Sequence, residues 1–148
     1  MPARLKNAYD DNNIFAKILR GEMPCHKVYE DDVAFAFMDI MPRTKGHCLV
    51  IPKCACRNLL DADPDVLAEL IKRVQTIAQA AKAAFDADGV TVHQFNEQAG
   101  GQVIFHLHFH ILPRWAGIEL LPPASAIEEP HVLETNAAKL AATLTRDS

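Results

Sequence analysis

The sequence contains no apolar run as long as the ~18 residues that a membrane-spanning helix requires, so no transmembrane span is expected. Its first residues, Met1-Pro2-Ala3-Arg4-Leu5-Lys6, lack the apolar centre of a signal peptide, which makes a cytoplasmic protein the expectation. A basic excess is also missing: 15 Lys and Arg stand against 19 Asp and Glu, a net charge of −4. Polymeric nucleic acid demands a basic face and is disfavoured, whereas a small anionic ligand can still meet a locally positive pocket. Cysteine is scarce. Cys25, Cys48, Cys54 and Cys56 match no disulfide framework, and a chain of this size needs none. Cys54-Ala55-Cys56 has neither zinc-knuckle spacing nor a second pair to complete a site. Reduced thiols are therefore expected, with no metal held by the cysteines and no cofactor. Internal repeats and low-complexity tracts are absent too.

What is present suffices for one ordinary core: 148 residues, 49% hydrophobic. Residues 1–11 are polar and read as a flexible N-terminus. Asp11 or Asn12 can cap a short helix whose apolar positions Ile14, Phe15, Ile18 and Leu19 follow the 3.6 period; Gly21 and Pro24 end it. Two β-prone runs follow, Lys27 to Glu30 and Val33 to Asp39, joined by Asp31-Asp32. In the second, Val33, Phe35, Phe37 and Asp39 share a face, an apolar stripe ending in a carboxylate. After the loop Met41–Gly46 comes a compact strand, His47 to Ile51, closed by Pro52. Asp63-Pro64 starts a long helix with Leu67, Leu70, Ile71, Val74, Ile77, Ala78, Ala81 and Phe85 on its stripe, stopping near Asp88-Gly89. Val90 to Asn96 reads as a further strand. A Pro-rich connector and a helix from about Pro130, with Leu133, Ala137, Leu140 and Leu144 on one face, complete the chain. The order α-β-β-β-α-β-β-α with short inter-strand loops predicts an α+β fold on an antiparallel sheet.

The informative stretch is Gly100-Gly101-Gln102-Val103-Ile104-Phe105-His106-Leu107-His108-Phe109-His110-Ile111-Leu112-Pro113-Arg114. Three of the 7 histidines alternate with Leu107 and Phe109. Period-two alternation predicts a strand across them, with His106, His108 and His110 on one face about 6.5 Å apart. Phe105, Leu107, Phe109 and Ile111 then face a core. Incidental surface histidines, a zinc held by H-x-H, and imidazole chemistry all remain open from these residues alone. Imidazole works near neutral pH as nucleophile or acid, and the Gly-rich approach offers N–H groups to an anion, so the residues themselves point to phosphate handling.

The motif His106-Leu107-His108-Phe109-His110-Ile111-Leu112 resembles the signature of the histidine triad family. Asn13–Ile18, Phe37–Ile40, Gly46–Lys53, Asn96-Glu97, Gly101-Gln102 and Pro113-Arg114 fall in the family's order. The resemblance covers about residues 12–115, the expected HIT domain, with 116–148 as a C-terminal extension. It is nearest the Hint branch and its bacterial relatives. It implies the HIT-like fold: a five-stranded antiparallel sheet with a short N-terminal helix, one long helix and a C-terminal helix. It also implies a homodimer acting on a purine nucleotide at the α-phosphate. By position, His108 resembles the nucleophile that forms a nucleotidyl-histidine. His106 and His47 would orient the site and handle protons, and His110 would contact phosphate or fix the neighbouring ring. Asn96, Gln102 and the backbone near Val103 would hold the phosphate side. Asp39 would accept from the ribose hydroxyls, and Ile14, Phe15, Ile18, Phe37 and Ile40 would flank the base. His26, His93 and His131 match no functional position.

Two departures from the family pattern stand out. Val103 replaces the Ser or Thr common in Hint-type proteins. Asn13, Ala16 and Ala55 occupy places where some bacterial relatives hold zinc ligands, which argues against structural zinc. The expected activity is a nucleoside phosphoramidase. A dinucleoside polyphosphate hydrolase of the Fhit type and a non-catalytic nucleotide sensor are the alternatives.

Overall fold

The computed structural model describes residues 9–146. Residues 1–8 of the expected flexible N-terminus lie outside the described residues. The elements are α1 (Ile14–Leu19), β1 (Lys27–Glu30), β2 (Ala34–Met38), β3 (Cys48–Pro52), α2 (Pro64–Ala84), β4 (Gly89–His93), a 3₁₀ turn (Gln98–Gly100), β5 (Phe109–Arg114) and α3 (Pro130–Arg146). The five strands form one antiparallel sheet in the order β1-β2-β3-β5-β4. The fold is the α+β, HIT-like arrangement expected.

The strand period divides the sheet into two faces of different use. Ala34, Ala36, Met38, Cys48, Val50 and Ile111 face α2 and α3, and pack with Leu70, Val74, Ile77, Leu133, Leu140 and Leu144. Phe35, Phe37, Leu49 and Ile51 face the other way and pack with Phe15 and Ile18 of α1 in a smaller cluster. The long helices thus anchor one face and leave the other for a site. α3 is integral to this packing: Leu140 is fully buried, and its truncation to alanine is expected to destabilise by about 2–5 kcal/mol.

Local signals set the helix ends. The Asp63 carboxylate accepts from the Asp65 N–H at 2.7 Å, with Pro64 at the first helical position. α2 stops at Ala84 with Phe85 as its cap, short of the expected Asp88-Gly89, because Asp86 takes a left-handed conformation at φ 49°. The cap of α1 is Asn13, whose side chain accepts from the Ala16 N–H at 2.9 Å; neither Asp11 nor Asn12 holds that position.

Gly46 places the first site residue. Its φ is +83°, and a Cβ there would lie 2.6 Å from the Phe85 ring. Only glycine lets this loop close over the end of α2 and deliver His47 to the head of β3.

The histidine segment departs from expectation. β5 begins at Phe109, so His106 and His108 precede the strand and only His110 lies on it. The Leu107 N–H is taken by the carbonyl of Cys56, a loop residue, at 2.9 Å, which keeps residues 106–108 out of the ladder. Leu107 and Ile111 are fully buried, but Phe105 does not enter the core; it lies under the Arg57 guanidinium, 4.1 Å from ring centroid to Cζ. β4 likewise ends at His93 rather than reaching Asn96.

Candidate active site

The four histidines named from the sequence come together on the α1 side of the sheet. His47 enters from the loop before β3, His106 and His108 from the approach to β5, and His110 from β5 itself. His108 and His110 rings are 5.0 Å apart, edge to face. His47 Nε2 lies 3.0 Å from His110 Nδ1. Phe15 stands edge-on to His108 at 4.9 Å, joining the cluster to the apolar wall of α1 and β2. His93, which matched no family position, sits opposite His110 across β4 and β5, with the Phe95 ring 5.5 Å from each.

Hydrogen-bond partners assign every ring proton in this cluster. His108 Nδ1 is 2.6 Å from the His106 carbonyl, and a carbonyl only accepts, so Nδ1 carries the proton and Nε2 a lone pair. His106 Nε2 is 2.9 Å from the Pro52 carbonyl and must donate, leaving its Nδ1 to accept from the Tyr9 hydroxyl at 2.7 Å. The Arg43 N–H donates to His47 Nδ1 at 3.1 Å, which puts the His47 proton on Nε2, facing His110 Nδ1. One assignment satisfies all four rings.

Burial keeps them neutral. Desolvation lowers His47 and His110 to about 3 and His108 to about 4, and it lowers His106 as well. The positive charge of Arg43 acts in the same direction on His47, His110 and His93. His106 is fully buried with both ring nitrogens engaged. It therefore has no free nitrogen with which to carry protons.

The remaining candidates divide. Phe15, Ile18 and Phe37 are buried in the small cluster, Ile14 packs against it, and Ile40 stands at the rim, 44% exposed. Asp39 lies beside His47, its Oδ1 accepting from the Met41 N–H at 2.8 Å and its Oδ2 3.5 Å from His47 Nε2. Burial raises its carboxyl pKa. Asn96 accepts from the Leu59 N–H at 2.9 Å and exchanges two hydrogen bonds with Gln94. Gln102 is buried with all its amide capacity engaged: Oε1 accepts from Asn58 and the Glu97 N–H, and Nε2 donates to the carbonyls of Arg57 and Ile104. Both amides shape the loop between β4 and β5. Val103 projects outward, 81% exposed.

The Gly-rich approach does not offer the expected row of free N–H groups. Those of Gly100, Gly101 and Gln102 return to the carbonyls of Glu97, Gln98 and Glu97. Glu97 holds this turn at φ 66° and ψ 165°, a region otherwise left to glycine that costs about 1–3 kcal/mol. A bidentate pair with Arg57 at 2.8 and 2.9 Å and a bond from Asn58 at 2.6 Å offset that strain. Sequence reasoning assigned no role to Tyr9, Arg43, Arg57 or Asn58. No period or short motif connects Tyr9, Arg57 or Asn58 to His106, His108 and His110, which are distant in the chain, and none marks Arg43 although it lies close before His47.

Asp39, His47 and His110 bring ligand-type atoms within 4.8 Å of one another, a spacing a metal ion could bridge. The Arg43 N–H opposes that use, since it forces the His47 proton onto the nitrogen a metal would need. Among the described residues the cysteines are free thiols, Cys48 buried and pushed up to about 12.

A fold of this topology with neutral, tautomer-fixed histidines around an apolar wall defines a class, and comparison places the chain within it. Residues 20–117 match the HIT domain model, and the chain belongs to that family. It is 43% identical over 101 residues to the adenylylsulfatase HINT3 of Arabidopsis thaliana, covering 68% of this chain and 51% of that protein. The chain thus spans about half the length of that relative. A HIT-like protein involved in cell-cycle regulation from Bartonella henselae superposes with a TM-score of 0.86 at 58% identity, covering 92% of this chain and 99% of the other. A histidine triad nucleotide-binding protein from Sulfolobus tokodaii gives 0.81 at 36% identity, covering 89% and 91%.

Proposed function

We propose that this protein hydrolyses or transfers at the α-phosphate of a purine nucleotide through a nucleotidyl-histidine, most specifically as a nucleoside phosphoramidase. The observation that carries this reading is the 2.6 Å bond from His108 Nδ1 to the His106 carbonyl, which leaves the Nε2 lone pair as the nucleophile. Nε2 attacks phosphorus and the bond to the leaving amine breaks, its electron pair departing with nitrogen. The positive charge left on the His108 ring is offset by the carbonyl at Nδ1. The negative substrate raises the proton affinity of His110, whose Nδ1 takes up one proton from solvent as its bond from His47 opens, and His110 Nε2 delivers its own proton to the amine. Water then attacks phosphorus, the bond to His108 Nε2 breaks, and His110 Nε2 removes the water's proton. Nucleoside monophosphate leaves, His110 Nδ1 returns its proton to solvent, and the starting protonation is restored.

Phe15, Ile18 and Phe37, with Ile14 and Ile40 at the rim, would flank the base, and Asp39 would accept from the ribose diol. The N–H of Val103, which has no intramolecular acceptor among the described residues, is free to meet a phosphate oxygen. Asn96 and Gln102 would act through the loop they brace.

A second reading, hydrolysis of an anionic anhydride such as a dinucleoside polyphosphate, is favoured by Arg43. It has no carboxylate partner among the described residues, and its charge reaches three histidines. The relative named adenylylsulfatase fits this second reading. Rates on adenosine 5′-phosphoramidate, adenylyl sulfate and diadenosine polyphosphate, measured side by side without added metal, separate the two. No release of nucleoside monophosphate from any of them would overturn both and favour a nucleotide sensor.

The open edge of β4, with Val92 45% exposed, supports a homodimer built by pairing that edge with a second copy. Sedimentation should give twice the chain mass. No helix of the described residues is long and apolar enough to cross a membrane.

A further inference from the structure

Tyr9 lies outside the residues matched by the family model, 97 positions from the ring it touches. Its hydroxyl is 2.7 Å from His106 Nδ1, and its ring meets the His106 ring edge-on at 5.6 Å. Among the described residues the His106 ring is otherwise held through Nε2, by the Pro52 carbonyl at 2.9 Å, while its own carbonyl holds His108 Nδ1 at 2.6 Å. The three bonds form a line from the N-terminal arm through His106 to the proposed nucleophile.

We propose that Tyr9 is a positioning residue for the reaction, its hydroxyl fixing the orientation of His106 and, through the His106 carbonyl, the aim of His108 Nε2. The inference rests on the nucleotidyl-histidine reading for its kinetic part but not for its structural part.

The chemistry is directional. A carbonyl at Nε2 alone holds one corner of the ring, which can still turn about Cβ–Cγ, a motion that puts Cδ2 where Nδ1 was and Cε1 where Nε2 was. A hydroxyl donor on Nδ1 removes that freedom, because the turned ring would offer carbon to both partners. Burial raises the Tyr9 pKa, so the hydroxyl keeps its proton throughout the neutral range. Without the hydroxyl, Nδ1 of a fully buried ring loses its partner and the ring gains a second orientation. The carbonyl that aims His108 belongs to the same residue and moves with it. Small misplacements of a reacting group are known to reduce rates disproportionately.

The test compares the full chain with Tyr9→Phe, which keeps the ring and removes only the hydroxyl. Two readouts are needed: steady-state kinetics on adenosine 5′-phosphoramidate, and imidazole ¹⁵N resonances. In the parent protein, His106 should show a protonated Nε2 and an accepting Nδ1. In Tyr9→Phe, kcat should fall about tenfold with KM within about twofold, and the His106 Nδ1 resonance should shift as its accepting bond is lost. A parent spectrum with the proton on Nδ1 overturns the proposal without reference to any variant. So does a Tyr9→Phe protein with unchanged nitrogen shifts, whether or not its kcat falls, because the hydroxyl then acts by packing alone. If the parent protein turns over no nucleotide, the functional reading fails while the nitrogen spectra still decide the role of Tyr9.

Discussion

The two halves of the histidine cluster are held by different kinds of partner. His106 and His108 each give a ring proton to a main-chain carbonyl, of Pro52 and of His106. A carbonyl accepts and never donates, so these protons have one place to be. His47 and His110 are bonded ring to ring at 3.0 Å, so the acceptor of the His47 proton is itself a base that can be protonated when that bond opens. The contrast separates roles that look identical in sequence. The locked half presents a lone pair, and the exchangeable half moves protons.

The sharpest way to break this contrast is to remove the lone pair. His108→Ala should lose activity by about 10⁴-fold or more, as when a covalent nucleophile is deleted, with the fold retained by circular dichroism. Removing the exchangeable half should do less: His110→Ala is expected to lower kcat about 10²-fold, the scale of one general acid–base group. A loss in His110→Ala equal to that in His108→Ala would erase the distinction.

Acid should act on both halves together. Folding lowers these histidines from an ordinary value of 6.5 to about 3 for His47 and His110 and about 4 for His108. Between those values the unfolded chain binds more protons than the native one, so stability is complete above about pH 6.5 and declines as pH falls toward 4. The slope is up to about 1.4 kcal/mol per pH unit for each histidine. Denaturant midpoints recorded from pH 7.5 to 4.5 measure it, and a flat profile would contradict the neutral, buried assignment.

The smallest expected effect lies at the exposed edge of the site. Val103→Ser adds one hydroxyl beside the proposed phosphate position and should raise kcat/KM on the phosphoramidate by no more than about fivefold, the worth of one ordinary hydrogen bond. Its stability should stay within about 0.5 kcal/mol of the parent, because Val103 is 81% exposed.

Much of this architecture is legible in the residues. Asp63-Pro64 marks the start of α2, and the alternation from Ala34 to Met38 divides the sheet's faces as built. The histidine row is legible as a site but not as a strand. An extended approach bonded to a loop shows the same alternation as a strand bonded to its neighbour, and only the Leu107–Cys56 bond tells them apart. Glycines at 100 and 101 suggested free N–H groups, but a 3₁₀ turn closes those groups on its own carbonyls. Asn96 and Gln102 carry the residue types of phosphate contacts, yet their amides face inward because Leu59, Asn58 and Arg57 lie across from them. Such pairings depend on which loops meet, and local pattern does not record that.

The most direct test of the central claim is to mix the protein with adenosine 5′-phosphoramidate, quench within a turnover, and map any adduct by mass spectrometry. A nucleotidyl group on His108, absent in His108→Ala, is the result expected from a free Nε2 lone pair. Product release with the adduct on another residue, or with no adduct and an active His108→Ala protein, would contradict it.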